Sequence, residues 1–177
     1  SREKIQKTMN RSREPVNFII NDQILNTNVN LELVTTRCAN VVGEIKSGNR
    51  KYRDEYVVLG AHFDHVGEGG VGSGSRKPDL IQVHPGADDN ASGASGLLEI
   101  AQKLAANKSR LKRSILLIGF DAEEKGLLGS KYFMNNPTVD LNKIITMINM
   151  DMIGRMKDSS ATVGGVGTSP LFEHLID

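Results

Sequence analysis

The sequence predicts an α/β fold in which helices cover a mixed, mostly parallel sheet. Apolar segments of strand length alternate along the chain with segments whose apolar residues recur at helical spacing. Two of the apolar segments, RSILLIGF (113–120) and KIITMINMDMIG (143–154), are nearly continuous, as is typical of strands buried on both faces. This alternation of strands and helices indicates the α/β class.

The first third of the chain contains the candidate strands with alternating apolar residues. Residues 1–15 are polar and end at Pro15, and we interpret them as a lead-in or the remnant of a neighbouring segment, with the domain itself over 16–177. The turn-rich SGNRKYRD (47–54) predicts a hairpin between the two strands that flank it. The candidate strands are VNFII (16–20), VNLELVT (29–35), ANVVGEI (39–45) and EYVVLGAHF (55–63).

The remaining segments alternate between helix, strand and loop. The glycine-rich stretches 67–79 and 164–167 indicate loops. SGLLEIAQKLAANK (95–108) predicts an amphipathic helix, because its apolar residues recur on one face. GLLGSKYFMNN and PLFEHLID predict helices over 126–136 and 170–177, and ATVGGVGT predicts a strand over 161–168.

Composition narrows the classes of partner. The net charge of +1 gives no electrostatic reason to expect nucleic acid or an anionic membrane as a partner, so a peptide or another small molecule is the better expectation. No apolar run approaches the roughly 20 residues of a membrane span, and the charged start does not resemble a signal peptide. The single cysteine, Cys38, excludes an intrachain disulfide and a thiolate zinc cluster.

Ionisable residues gather where predicted strands end. His62 and Asp64 follow one strand, Glu123 and Glu124 the next, and Asp151 the third, while Asp88 and Asp89 precede the long helix. The carboxyl ends of strands in an open α/β sheet meet at one edge, so these residues can converge. Carboxylates crowded around a neutral imidazole repel one another unless a divalent cation lies among them. Imidazole with carboxylate suits Zn²⁺, with Mn²⁺ or Co²⁺ as alternatives.

Four motifs carry a family resemblance. GAHFDH, PGADDNASG, FDAEEKGLLGS and INMDMIG, in this order over roughly residues 40–170, resemble the co-catalytic di-zinc exopeptidases, which include bacterial leucyl-type aminopeptidases and glutamate carboxypeptidases. The resemblance implies a three-layer α/β/α fold that continues beyond residue 177. It also implies a zinc peptidase that hydrolyses a terminal peptide bond with a metal-activated water. An aminopeptidase is the favoured interpretation, and the choice between an aminopeptidase and a carboxypeptidase stays open at this point.

The resemblance also implies the roles of individual residues. His62 and Asp151 bind one zinc ion, Glu124 helps to bind the other, and Asp89 bridges both. Asp64 orients the His62 ring, Glu123 is the general base, and the Asp89–Asn90 peptide bond is cis. Two ions are implied for a complete site, and one or two for this chain.

The family takes its last zinc ligand, a histidine, from a loop well beyond the INMDMIG strand, and this chain ends 26 residues after Asp151 (177 minus 151). We therefore expect a partial catalytic domain that is weak or inactive by itself and that can self-associate through its exposed apolar surface. His174 is the one downstream candidate, and we expect it on the polar side of a helix and not as the ligand. His65 is interpreted as a pocket or supporting residue, His84 as a loop residue, and Asp88 as a turn or capping residue.

Two other readings remain open. One is a single-zinc acyltransferase similar to glutaminyl cyclase, and the other is a non-catalytic relative that serves as a receptor or scaffold. Retention of the HxD motif and of both glutamates favours the hydrolase over the first, and retention of all four ligand residues favours it over the second. The sequence carries no localisation signal of its own, and a secreted or periplasmic location is implied by the resemblance alone.

Overall fold

The computed structural model describes residues 2–12, 24, 26–33, 35–156 and 158–176. The chain divides into two units, Ser1–Thr36 and Arg37–Asp177. The first unit contains helix α1 (Arg2–Ser12), in a segment whose sequence shows no apolar stripe. Among the described residues, no helix has the length and apolar character that crossing a membrane requires.

The two strands predicted before residue 36 have different outcomes. The strand predicted over 16–20 lies outside the described residues. The strand predicted over 29–35 is wrong for the residues described there, which adopt no regular secondary structure. Val29, Leu31 and Leu33 are 71%, 88% and 89% exposed, so the alternating pattern has no neighbouring strand or core to bury it.

The second unit contains the predicted α/β arrangement. Its helices and strands are β1 (Val41–Ile45), β2 (Tyr56–His62), α2 (Gly93–Ala106), β3 (Ser114–Phe120), α3 (Leu128–Asn135), β4 (Ile144–Asn149) and α4 (Pro170–Ile176). The strand predicted over 161–168 is wrong. That segment contains a 3₁₀ turn at Val166–Thr168, and Gly165 before it has a φ of 78°, which a strand does not accommodate.

The four strands form one mixed, mostly parallel sheet in the order β1-β3-β2-β4. β2 runs parallel to both β3 and β4, and β1 pairs antiparallel with β3. β2 therefore lies between two ladders and is buried over nearly all its length. β4 pairs with β2 alone among the described strands, and most of its residues are exposed.

Helices pack on both faces of the sheet, which gives the three layers that the family resemblance implies. On one face, Phe133 of α3 packs against Val58, Leu116 and Ile118. On the other face, Leu97 of α2 packs against Leu59 and neighbouring apolar residues. Alternate residues of β2 thus pack into two separate apolar clusters, because successive side chains of a strand point to opposite faces of the sheet.

The predicted hairpin between the first two strands of the sheet is wrong, because β3 lies between β1 and β2. The connection between them passes the start of β3 and is held there by two buried serines. Ser47 donates from its backbone N–H to Ser114 Oγ at 3.0 Å, and Ser114 Oγ donates to the Arg53 carbonyl at 2.6 Å. The turn-rich composition correctly indicated that the chain changes direction between β1 and β2. Which strand each of them pairs with depends on long-range contacts such as the one between Ser47 and Ser114.

Candidate metal centre

The sheet brings the ends of three strands together. β2 ends at His62, which is in register with Phe120 at the end of β3, and Gly60 is in register with Asn149 at the end of β4. The residues that follow these ends, and the turn Ala87–Ser92 before α2, therefore share one edge of the sheet. The convergence expected from strand order is present.

His62 is buried, with 2% of its surface exposed, and its two ring nitrogens have different surroundings. Nδ1 lies 3.1 Å from the backbone carbonyl of Asp64. Because a carbonyl can only accept, this contact places a proton on Nδ1, so that in the neutral ring the lone pair lies on Nε2. Nε2 is buried and makes no hydrogen bond with any described residue.

Carboxylates surround that free nitrogen. His62 Nε2 lies 3.3 Å from Asp89 Oδ1, 3.6 Å from Asp151 Oδ1 and 4.0 Å from Glu123 Oε2. Neither Lys nor Arg pairs with these carboxylates among the described residues, since Arg113 pairs with Glu55 and Arg155 with Asp88. We call His62, Asp89 and Asp151 the first donor group, and its buried lone pair beside negative charges fits a cation.

A second group of donors lies beside the first. Ligand atoms of His65, Asp89 and Glu124 lie within 4.8 Å of one another, as do those of the first group. We call these three residues the second donor group. Asp89 belongs to both, which is the geometry that a bridging carboxylate needs. Neither His84 nor His174 belongs to either group.

Asp64 connects two strand ends. Its carboxylate accepts hydrogen bonds from the backbone N–H groups of Glu123, at 2.9 Å, and Glu124, at 3.1 Å. Oδ1 also lies 3.6 Å from His62 Nδ1, while its backbone carbonyl is the closer partner of that ring. Asp64 thus contacts both the histidine and the turn that carries the two glutamates.

Glu123 lies in neither donor group, but its carboxylate faces the first one. Burial raises its pKa, the nearby carboxylates of Glu124, Asp151 and Asp64 raise it further, and His62 opposes them. A cavity of about 220 Å³ opens beside this residue. The lining of the cavity includes His62, Glu123 and Asp151 together with Leu127 and Met147.

Asn90 joins the parts of the site, and the sequence gives little sign of this role. The side chain is 2% exposed. Nδ2 donates to the carbonyls of His62 and Met150 at 3.2 and 3.0 Å, and Oδ1 accepts from the N–H groups of Gly93 and Met152 at 3.0 and 3.2 Å. One amide thus ties the ends of β2 and β4 to the start of α2. The peptide bond before it, Asp89–Asn90, is cis, as the resemblance implies.

The side chain of Asp88 contacts residues far from its own turn in the sequence. Its Oδ1 accepts a hydrogen bond from the Gly154 N–H at 2.9 Å, and its Oδ2 lies 3.2 Å from Arg155 Nε. It therefore fastens the loop that carries Asp151 to the turn that carries Asp89. In the sequence, Asp88 and Asn90 belong to a group of polar residues just before a helix. That pattern does not reveal their hydrogen-bond and ion-pair partners, some of which lie more than 60 positions away.

Comparison with known proteins shows the family to which the chain is similar. The sequence model of peptidase family M28 matches residues 40–177. The chain is 32% identical over 131 residues to a probable leucine aminopeptidase 2 from Arthroderma benhamiae, covering 73% of this chain and 22% of that relative. It is 33% identical over 161 residues to a glutamate carboxypeptidase 2 homolog from Caenorhabditis briggsae, covering 88% and 18%.

A solved structure is also similar. The crystal structure of Porphyromonas gingivalis glutaminyl cyclase aligns with a TM-score of 0.51 and 30% identity, over 65% of this chain and 40% of that one. The chain therefore spans about a fifth of the length of the two curated relatives, with shares of 22% and 18%.

Proposed function

The chain belongs to peptidase family M28, and from that membership we propose that it acts as a zinc-dependent exopeptidase that removes an amino-terminal residue from a peptide. The observation that carries the proposal is the buried, unpartnered Nε2 of His62, which faces the carboxylates of Asp89 and Asp151. A buried lone pair among anions is costly unless a cation joins them.

The residues present fit zinc. His62, Asp89 and Asp151 would hold one ion, and Asp89 with Glu124 would hold another, so that Asp89 is shared. Three ligands of nitrogen and oxygen leave a coordination position open, as catalytic zinc sites require. When bound, zinc supplies a Lewis acid that acidifies water and polarises a carbonyl group.

Glu123 is the proposed general base. Its carboxylate accepts a proton from the water that attacks the scissile carbonyl carbon, and it returns that proton to the amine nitrogen as the C–N bond breaks. A raised pKa brings Glu123 closer to the pH at which a carboxylate both accepts and releases a proton efficiently. Because Glu123 is outside both donor groups, it remains free for this exchange.

Asp64 is the proposed positioning residue. Its carbonyl fixes the His62 ring with Nε2 towards the donor group, and its carboxylate fixes the backbone of Glu123 and Glu124. One residue thereby sets both the ligand and the base relative to each other. Hydrogen bonds of this kind orient metal-binding side chains and raise metal affinity.

The experiment uses a full-length version of the protein, because the chain by itself is expected to be weak or inactive. It measures zinc content and the hydrolysis of an aminoacyl amide with and without Glu123→Gln. We expect the variant to keep its zinc and to lose kcat by about 10²- to 10⁴-fold, because a proton acceptor is removed and no ligand is lost. Glu173→Gln, an exposed change on α4, is the matched control. A chain that takes up no zinc, or a Glu123→Gln variant with unchanged kcat, would contradict the proposal.

A second candidate function is acyl transfer on a single zinc ion, and the likeness to glutaminyl cyclase favours it. Here an amino-terminal glutamine would cyclise with loss of ammonia, in place of hydrolysis of a peptide bond. A glutamine-initiated peptide tests it directly: pyroglutamate formation without release of an amino acid identifies the cyclase. Amino acid release identifies the peptidase, and a full-length version that binds zinc without either activity identifies a non-catalytic relative.

A further inference from the structure

We propose that His65 supplies a nitrogen ligand, through Nδ1, to a second zinc ion held together with Asp89 and Glu124. This inference rests on the proposed function, since it concerns the same metal centre. Neither the motif resemblance nor the names of the relatives assign a role to His65. The structure gives the second donor group an imidazole from within the GAHFDH motif itself.

The first argument is the contact between His65 and Glu124. Nδ1 and Oε1 lie 2.8 Å apart, yet neither atom makes a hydrogen bond with a described residue. Both atoms are buried even though the side chains keep 22% and 19% of their exposure. The two atoms lie at ion-pair distance from each other and have no other polar partner among the described residues, so they sit side by side next to Asp89, as two ligands that one ion could join would do.

The second argument is the size of the group. Zinc binds nitrogen and oxygen at about 2.0–2.2 Å, so ligands around a tetrahedral ion lie about 3.3 Å apart. The donor atoms of His65, Asp89 and Glu124 lie within 4.8 Å of one another, which small side-chain rotations close. Among the described residues, the second ion has three protein ligands with His65 and only the shared Asp89 and Glu124 without it.

The third argument is how the chain holds the His65 ring. Gly86 has a φ of 63°, and a side chain there would bring its Cβ within 2.9 Å of the His65 Cγ and Cδ2 atoms. The ring of His84 approaches at 6.1 Å, edge to face. His84 is itself anchored by a backbone hydrogen bond to Gly67 at 2.8 Å. The ring therefore rests against a bare backbone on one side, which limits where Nδ1 can point.

The test uses nitrogen NMR of the histidine rings, because the chain has only 4 histidines. We expect zinc to shift the Nε2 resonance of His62 and the Nδ1 resonance of His65, and to leave His84 and His174 unchanged. The two ligands should thus bind through opposite ring nitrogens. A His65 Nδ1 resonance that stays unchanged while His62 Nε2 shifts would overturn this proposal and leave the proposed function standing.

A binding measurement gives an independent readout. This measurement is a competition for zinc with a chromophoric chelator. His65→Gln should lower the affinity for one of two zinc ions by at least about tenfold and leave the affinity for the other unchanged, since even supporting contacts to a ligand change affinity by about 10- to 100-fold. His174→Gln, exposed on α4, is the matched control. Two ions bound by His65→Gln with unaltered affinities would refute the assignment, whereas a chain that binds no zinc would refute the proposed function as well.

Discussion

The two donor groups share Asp89 but hold their histidines by different means. His62 is the last residue of β2, between two strands, and is 2% exposed. His65 lies three residues later in a loop, and its side chain is 22% exposed. The sheet thus fixes the histidine of the first group, whereas a loop seated on Gly86 fixes the histidine of the second. The difference teaches that one centre can contain a position set by strand register and another set by loop conformation.

The largest effect is expected where the two groups meet. Asp89→Asn keeps the shape of the side chain and removes its charge. The affinity for both zinc ions should therefore fall by about 100-fold or more, since even the loss of a supporting contact can lower metal affinity by that factor. Asp151→Asn should weaken one ion and Glu124→Gln the other. Zinc content after dialysis at fixed free zinc measures all three. If Asp89→Asn lost only one ion, the groups would not share this residue.

The next effect concerns stability. Asn90→Ala leaves two carbonyls and two N–H groups of the buried junction without their partner. Since each unsatisfied buried group costs about 1–3 kcal/mol and some recover water, we expect the free energy of unfolding to fall by about 3–5 kcal/mol. Urea unfolding of the zinc-free protein measures this.

Asn135→Ala is the matched control, because that amide is exposed on α3 and bonds only within its own helix. It should change the free energy of unfolding by no more than about 0.5 kcal/mol. An equal effect of both changes would mean that Asn90 does not hold the strand ends together.

A smaller effect should separate the two groups. Asp88 fastens the loop that carries Asp151, through Gly154 and Arg155, and none of its hydrogen bonds or ion pairs among the described residues reaches His65 or Glu124. Asp88→Asn should therefore weaken the first ion by about tenfold, the lower range for a supporting contact, and leave the second unchanged. Competition with a zinc chelator reports both affinities. Asp54→Asn, at an exposed ion pair, is the control, and equal weakening of both ions would contradict the separation.

The smallest effect is in the pH dependence of the zinc-free protein. Burial raises the pKa of Glu123 in the folded state, so the folded chain holds this proton to higher pH than the unfolded chain does. Stability therefore falls as the pH rises from about 4, the usual glutamate range, through the raised pKa.

Glu123→Gln removes that loss. At pH 7 we expect its Tm to exceed that of the unaltered chain by about 1 to 3 °C, which is under about 1 kcal/mol for a domain of this size. Near pH 4 the two should coincide. Calorimetry with a chelator present measures both values, and a Tm difference that grows towards acid would reverse the assigned direction of the pKa change.

The sequence predicted those parts of the fold that depend on local pattern. The apolar runs of β2, β3 and β4 and the stripe of α2 were sufficient to place these elements, and the rule for strand ends brought His62, Glu123 and Asp151 together. The predicted hairpin was wrong because pairing partners are chosen by contacts such as Ser47 with Ser114, 67 positions apart, which periodicity does not encode.

The sequence also could not predict which distant residues the side chains of the site contact. Asn90 and Asp88 look like ordinary turn residues in the sequence, since partners of theirs lie 60 and 66 positions later, after β4. His65 was interpreted as a pocket residue because an extended backbone would turn it away from Asp64. The chain instead leaves β2 after His62, and the loop that follows brings the ring beside Glu124.

The position of β4 at the edge of the described sheet has a consequence for how long an ion stays bound. Asp151 and the Met150 carbonyl that holds Asn90 both follow this strand, which is bonded on one side only. When β4 opens, the first donor group loses a ligand and the Asn90 junction loosens in the same event. Local openings of this kind have their own free energy, below that of global unfolding. We therefore expect the residence time of a bound ion to depend on the fraying of β4, an edge strand of the described sheet, and the exchange rates of its backbone amides and of the metal to rise and fall together.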